Sequence, residues 1–165
     1  MICCLGTDKT ALTRLKTPSF HGFSGSSNIM ATRSFAQLKT VKDLTKTELD
    51  FLKERCYDAY KVVDGGHYLY KGRDGADYAK VRLKLRGIDY FLGRHQLALF
   101  LKLIDDEYDV SLWGPTEETS HLCHKRRCFN PSHLVLEDRS KNKERDHCVA
   151  ERKCRGHGSL PQCMI

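Results

Sequence analysis

No apolar run in this chain approaches the eighteen or so residues that a membrane-spanning helix needs, and the longest, across 97–104, is broken by Lys102. A soluble protein is expected. Acids are nearly absent from one end: residues 1–42 hold six Lys/Arg and a single acid, Asp8, and show no apolar periodicity. A Ser/Thr-rich basic stretch of this kind buries too little apolar surface to fold alone, so 1–42 reads as a disordered basic arm, with a mitochondrial presequence as the second reading. A signal-peptide core is also missing, since the opening Met-Ile-Cys-Cys-Leu is short and runs into Asp8 and Lys9, which argues against secretion. At 165 residues a large multidomain enzyme is excluded, and 40% hydrophobic with 9% aromatic residues makes one modest core, placed at 43–165.

The net charge of +7 invites an anionic partner, yet most of it belongs to the arm. Six of the 28 Lys/Arg and one of the 21 acids lie there, leaving 22 against 20 for the domain. Nucleic-acid binding must therefore rest on where the domain's cations stand. Eight cysteines and eight histidines are more telling. In an intracellular chain, reduced cysteines interleaved with histidines read as metal ligands rather than as a disulfide framework.

Thr45 followed by Glu48 is a capping-box pattern, and Leu44, Leu49, Leu52, Cys56 and Tyr60 recur at helical spacing, which predicts a helix up to the Gly65-Gly66 pair. Residues 67–70 and 78–86 read as neighbouring antiparallel strands joined by a turn through Gly72, Asp74 and Gly75. A third strand over 88–92 and a helix over 93–103 follow, the latter with Leu97, Leu101 and Ile104 inward. In the second strand Lys80, Arg82, Lys84 and Arg86 alternate with Val81, Leu83 and Leu85, so a period of two puts four cations on one face. A two-stranded ribbon with such a face fits the major groove of B-DNA; a solvated sheet face is the bland reading of the same pattern.

From His121 the sequence is HLCHKRRCFNPSHLVLEDRSKNKERDHC. Cys123, Cys128 and His133 supply three ligands for a tetrahedral zinc, and the fourth must come from a distance. Cys56 is the domain cysteine left over once Cys148, Cys154, His157 and Cys163 form a second set; His67 competes with it but lacks a thiolate. Both sets would be closed and hence structural. Between them, 133–138 alternates like a strand and 140–147 reads as a polar helical turn, giving strand, zinc loop, strand, helix: a ββα-metal arrangement within an α+β fold of small antiparallel sheets. His121 ends its first strand and Asn142 opens its helix.

The run Ser120-His121-Leu122-Cys123-His124, with Cys128, Asn130-Pro131, His133-Leu134, Glu137, Asn142 and Cys148, resembles the His-Cys box homing endonucleases of the His-Me finger class. The resemblance is dense over 120–148 and thinner upstream, where Cys56-Tyr57 and Arg94-His95 are its counterparts. It implies a Mg²⁺-dependent DNA endonuclease with two structural zinc ions and one catalytic Mg²⁺. On that pattern His121 is the general base toward water, Asn142 holds Mg²⁺ and Arg82 contacts the scissile phosphate. Cys56, Cys123, Cys128 and His133 make the first zinc set, and Cys148, Cys154, His157 and Cys163 the second. Lys80, Arg82, Lys84 and Arg86 are the expected DNA-binding face, double-stranded DNA the partner, and the nucleus, or alternatively the mitochondrion, the compartment. The family forms a homodimer through a C-terminal tail longer than the two residues after Cys163, so dimerisation stays an open expectation here.

The residue types also make chemical sense on their own. Phosphodiester hydrolysis needs a base that titrates near neutrality and a hard cation with oxygen ligands. The alternative function is a non-catalytic zinc-stabilised DNA-binding module; a zinc-braced protein-interaction domain is a third. His121 as a mere metal ligand and Asn142 as a mere helix-opening residue are the bland readings of the two central residues.

Overall fold

The computed structural model describes residues 33–71 and 78–165; the expected turn through Gly72, Asp74 and Gly75 and residues 1–32 of the arm lie outside them. Its elements are α1 (Phe35–Leu38), α2 (Lys46–Tyr57), β1 (Tyr60–Val63), β2 (His67–Tyr70), β3 (Lys80–Leu85), β4 (Ile88–Gly93), α3 (Arg94–Asp105), β5 (Glu117–His121), β6 (Leu134–Asp138) and α4 (Arg139–Glu151). The strands form three separate antiparallel pairs, β1 with β2, β3 with β4 and β5 with β6.

Helix α2 starts where the capping box places it. Thr45 Oγ1 accepts from the Glu48 amide at 3.2 Å and Glu48 Oε2 accepts from the Thr45 amide at 2.8 Å. The helix stops earlier than its apolar spacing predicts. Tyr60 belongs instead to a hairpin, in which Val63 pairs with His67 across a turn made by Gly65 and Gly66, both in the left-handed region at φ 78° and 71°. The expected pairing of 67–70 with 78–86 is thereby corrected: β2 takes β1 as partner, and β3 takes β4 in the register Arg82 to Phe91.

The inner face of β3 and β4, carrying Val81, Leu83, Leu85, Tyr90 and Leu92, packs with α2 and α3 into one apolar core that includes Leu52, Leu97, Phe100 and Leu101. Arg94, the first residue of α3, is buried in this junction. Its guanidinium donates to the carbonyls of Arg55 and Cys56 at 2.9 and 2.7 Å, satisfying the end of α2, and pairs with Asp58 at 2.7 Å.

Order begins ahead of the boundary drawn at residue 43. Arg33 bridges to Tyr90 at the edge of β4, and α1 buries Phe35 and Leu38. Phe35 lies edge-on to Trp113 at 4.9 Å and to Phe100 at 5.9 Å, so Trp113 packs into the core. Burial of Phe35 and Leu38 orders this short stretch despite the basic, aperiodic composition around it. Among the described residues no helix is long and apolar enough to cross a membrane.

Candidate metal centres and nuclease site

The loop between β5 and β6 carries a cluster of Cys and His side chains that could hold a metal ion, beside the buried Leu122 and Phe129. Cys123, Cys128 and His133 meet there, and the fourth member is His67 from β2, not Cys56. Two hydrogen bonds dock the β1–β2 hairpin on the loop: Asn130 Nδ2 donates to the Gly66 carbonyl at 2.6 Å, and the Phe129 amide donates to the Tyr68 carbonyl at 3.1 Å beside an antiparallel bridge of Leu69 with Cys128. Cys56 faces the other way. It is fully buried on α2, its thiol directed at the Arg94 carbonyl at 3.7 Å and pushed up to about 12 by burial. A thiol in apolar surroundings is a core residue, so the lack of a thiolate on His67 did not decide the choice.

The second set gathers as its spacing implies, with Cys148, Cys154, His157 and Cys163 within 4.8 Å of one another. A tetrahedral zinc with bonds of about 2.3 Å to sulfur and 2.0–2.1 Å to nitrogen separates its ligand atoms by roughly 3.5 Å. The observed separations are 3.5 Å for Cys128 Sγ to His133 Nδ1, 3.4 Å for Cys148 Sγ to His157 Nε2 and 3.3 Å for His157 Nε2 to Cys163 Sγ. Both donor sets fit zinc.

The two centres are tied together. Arg145 of α4 is buried, chelates the Glu137 carboxylate with two bonds of 2.7 Å, and reaches the Pro161 carbonyl at 2.9 Å and Cys163 Sγ at 3.5 Å. The Met164 amide donates to the Leu122 carbonyl at 2.8 Å, fastening the second centre to the first loop.

This frame carries β5, β6 and α4 as a ββα unit, with Glu117 opposite Asp138 and His121 opposite Leu134. His121 and Asn142 line one polar cleft of about 170 Å³, together with Tyr78, Thr119 and His124. His121 Nε2 lies 2.9 Å from the Cys128 carbonyl. A carbonyl only accepts, so this nitrogen carries the proton and Nδ1 holds the lone pair of the neutral ring. Burial lowers the His121 pKa from its ordinary value, against the Cys128 bond, which raises it.

Beside His121 stands a ring stack that the sequence did not announce. His95 lies 4.8 Å from Tyr78 and 5.1 Å from His121. Burial, then His121, then Lys80 push His95 down to about 3, so it is neutral at physiological pH. His95, on α3, is thus packed against the candidate base itself.

Asn142, in the first turn of α4, is held at both ends of its amide. Ser120 Oγ donates to Oδ1 at 2.8 Å and Nδ2 donates to Glu118 Oε2 at 3.1 Å. Burial would raise the Glu118 carboxyl, but bonds from Asn142 and Arg139 hold it below its ordinary value. Glu118 was missed in the sequence, although a period of two from Ser120 puts it on the face that α4 covers.

The expected basic strand is only partly as read. Strand β3 ends at Leu85, and Arg86 sits beyond it at φ 49° with its guanidinium on Glu48 at 2.6 Å and on the Asp43 carbonyl at 2.9 Å. Arg86 is therefore a tether to α2 and leaves the outer face to Lys80, Arg82 and Lys84. Lys80 lines the groove that holds His95 and Asn142, whereas the Arg82 guanidinium lies over the exposed ring of Phe91 at 5.8 Å.

The structure is a small α+β fold whose ββα unit lies between two Cys/His sets that could hold zinc. The family model of the zinc-binding loop region of homing endonuclease matches residues 70–163, more than half of the chain, and the chain belongs to that family. No curated protein matches it. The family gives it a nuclease-related role.

Proposed function

We propose that the protein is a Mg²⁺-dependent endonuclease of double-stranded DNA, with His121 as general base and Asn142 as cation ligand. The observation that carries this reading is the His121 tautomer: the Cys128 carbonyl takes the Nε2 proton, so the basic Nδ1 remains for a water molecule. The donors around Asn142 suit a hard cation. They are an amide oxygen, a carboxylate and hydroxyls, including a buried Thr119 Oγ1 with no hydrogen-bond partner among the described residues. When bound there, Mg²⁺ supplies charge for the phosphate oxygens and the leaving 3′ oxygen.

The chain's own residues do the rest. His121 takes the proton from water at Nδ1 while its hydrogen bond to Cys128 keeps the ring oriented. His95 and Tyr78 wall the imidazole and exclude solvent from it. Lys80, Arg82 and Lys84 on the exposed face of β3 offer phosphate contacts, and the Arg82 and Phe91 pair beside them offers a flat surface for the sugar edge. Lys80, by its place in the groove, is a better candidate than Arg82 for the cation beside the scissile phosphate.

Replacing His121 with Ala should reduce cutting of plasmid DNA by at least a hundredfold while leaving two zinc ions per chain and salt-dependent DNA binding in place. Undiminished cutting would refute the role of His121. Salt-dependent binding without cutting in the unsubstituted chain would favour the non-catalytic DNA-binding module, which the cationic face of β3 alone would support.

A further inference from the structure

We propose that Glu118 is a positioning residue: it holds the amino end of the Asn142 amide, so that Oδ1 is the atom turned to the cation. The inference rests on the reading of Asn142 as the cation ligand. An asparagine amide has one end that can bind a metal ion, the oxygen, and one that cannot, since Nδ2 has two protons and no lone pair. The two ends are nearly the same size, so packing does not choose between them. The hydrogen bonds must.

Ser120 cannot make the choice. Its hydroxyl donates to Oδ1 at 2.8 Å, but a hydroxyl also accepts, and after a half-turn of the amide it would accept from Nδ2 just as well. Glu118 can make it, because a carboxylate only accepts. Its Oε2 takes the Nδ2 proton at 3.1 Å, and a flipped amide would set two oxygens against each other at that distance. The carboxylate is itself fixed, with Oε1 bound by Arg139 Nε at 2.6 Å, so Oε2 is the oxygen left for Asn142. Arg139, Glu118, Asn142 and Ser120 thus form one chain of bonds across α4 and β5. Oδ1 has two lone pairs; Ser120 uses one, and the other belongs to an atom on the wall of the cleft that holds His121.

The test compares Glu118→Ala, Glu118→Gln and Asn142→Ala in the full zinc-loaded chain. Cutting is measured as a function of Mg²⁺ concentration. The Asn142 side-chain amide is followed by NMR without added Mg²⁺. Glutamine presents an amide that, like the Ser120 hydroxyl, can either accept or donate, and alanine presents neither, so neither selects the orientation of Asn142. Glu118→Ala should raise the Mg²⁺ needed for half-maximal cutting about tenfold, the scale of one charge-assisted hydrogen bond. It should also move the two Asn142 amide proton signals toward the positions of a free side-chain amide. Glu118→Gln should also raise the Mg²⁺ requirement, by several-fold, and shift the Asn142 amide signals, because its amide pairs with Asn142 in either orientation. An alanine variant with unchanged Mg²⁺ requirement and unchanged amide signals would overturn the proposal. So would a glutamine variant indistinguishable from the unsubstituted chain in both readouts, because an acceptor-only partner would then not be what sets the amide. Failure of the underlying reading shows elsewhere, as undiminished cutting by Asn142→Ala.

Discussion

Gly93 has space for a hydrogen and little else. A Cβ built there would stand 2.7 Å from His95 Cε1 and 3.0 Å from both His95 Nδ1 and Gln96 Oε1. Its backbone is ordinary, at φ −71°, so what a side chain would disturb is the ring stack rather than the chain path. Gly93→Ala should therefore leave the fold intact, move His95 off Tyr78 and His121, and slow cutting by roughly ten- to a hundredfold. Matching circular dichroism, shifted His95 ring resonances and a lower cutting rate would be the signature; a full rate with shifted resonances would show that His95 is no part of the site. The residue scale is also where the sequence was least legible. His121 and Asn142 announced themselves by their place in the zinc frame and His95 only by a thin resemblance upstream, whereas Glu118 is one of 21 acids and nothing local marks it. Glu118 and His95 become site residues only once β5 lies against α4 and α3 against β5.

Among the elements, β3 to β4 and the ββα unit could be read directly, because alternation and ligand spacing are local. The hairpin of β1 and β2 could not. Tyr60 falls at a helical spacing from Cys56, and periodicity alone does not say that the chain has turned at Asp58, where the backbone becomes extended at ψ 143°. The misplaced ligand followed from that, since a helix running on toward Gly65 hides the fact that β2 delivers His67 to the zinc loop. His67→Ala should then lower the zinc content from two ions to one and loosen the loop that carries His121. Cys56→Ala should keep both ions and cost no more than about 1–2 kcal/mol as a small cavity in the core. Mass spectrometry under native conditions separates the two; a missing zinc in the Cys56 variant with full occupancy in the His67 variant would restore the first assignment.

At the scale of the whole molecule, one part of the described chain is built on a hydrophobic core and the other around two Cys/His sets that could hold zinc. Phe35, Leu52, Phe100, Trp113 and the inner faces of β3 and β4 make the core. Between His121 and Ile165 the buried side chains are largely ligands and the Glu137 and Arg145 pair. Zinc binding of about 10–16 kcal/mol per site is comparable with the whole stability of a domain, about 5–15 kcal/mol. Chelation should accordingly unfold at least this part, with loss of helical signal from α4 and of all cutting, and added zinc should restore both. An unchanged spectrum after complete zinc removal would mean that the Cys/His sets do not hold the fold.

The account as a whole stands on Asn142 and His121 meeting above the zinc frame as a hydrolytic site, and supercoiled plasmid tests it most directly. The purified chain is incubated with plasmid with and without Mg²⁺, beside Asn142→Ala, over a range of plasmid sequences. Nicking or linearisation that requires Mg²⁺ and disappears in the variant is the predicted result. Cutting that persists in Asn142→Ala, or that proceeds equally well without a divalent cation, would contradict it.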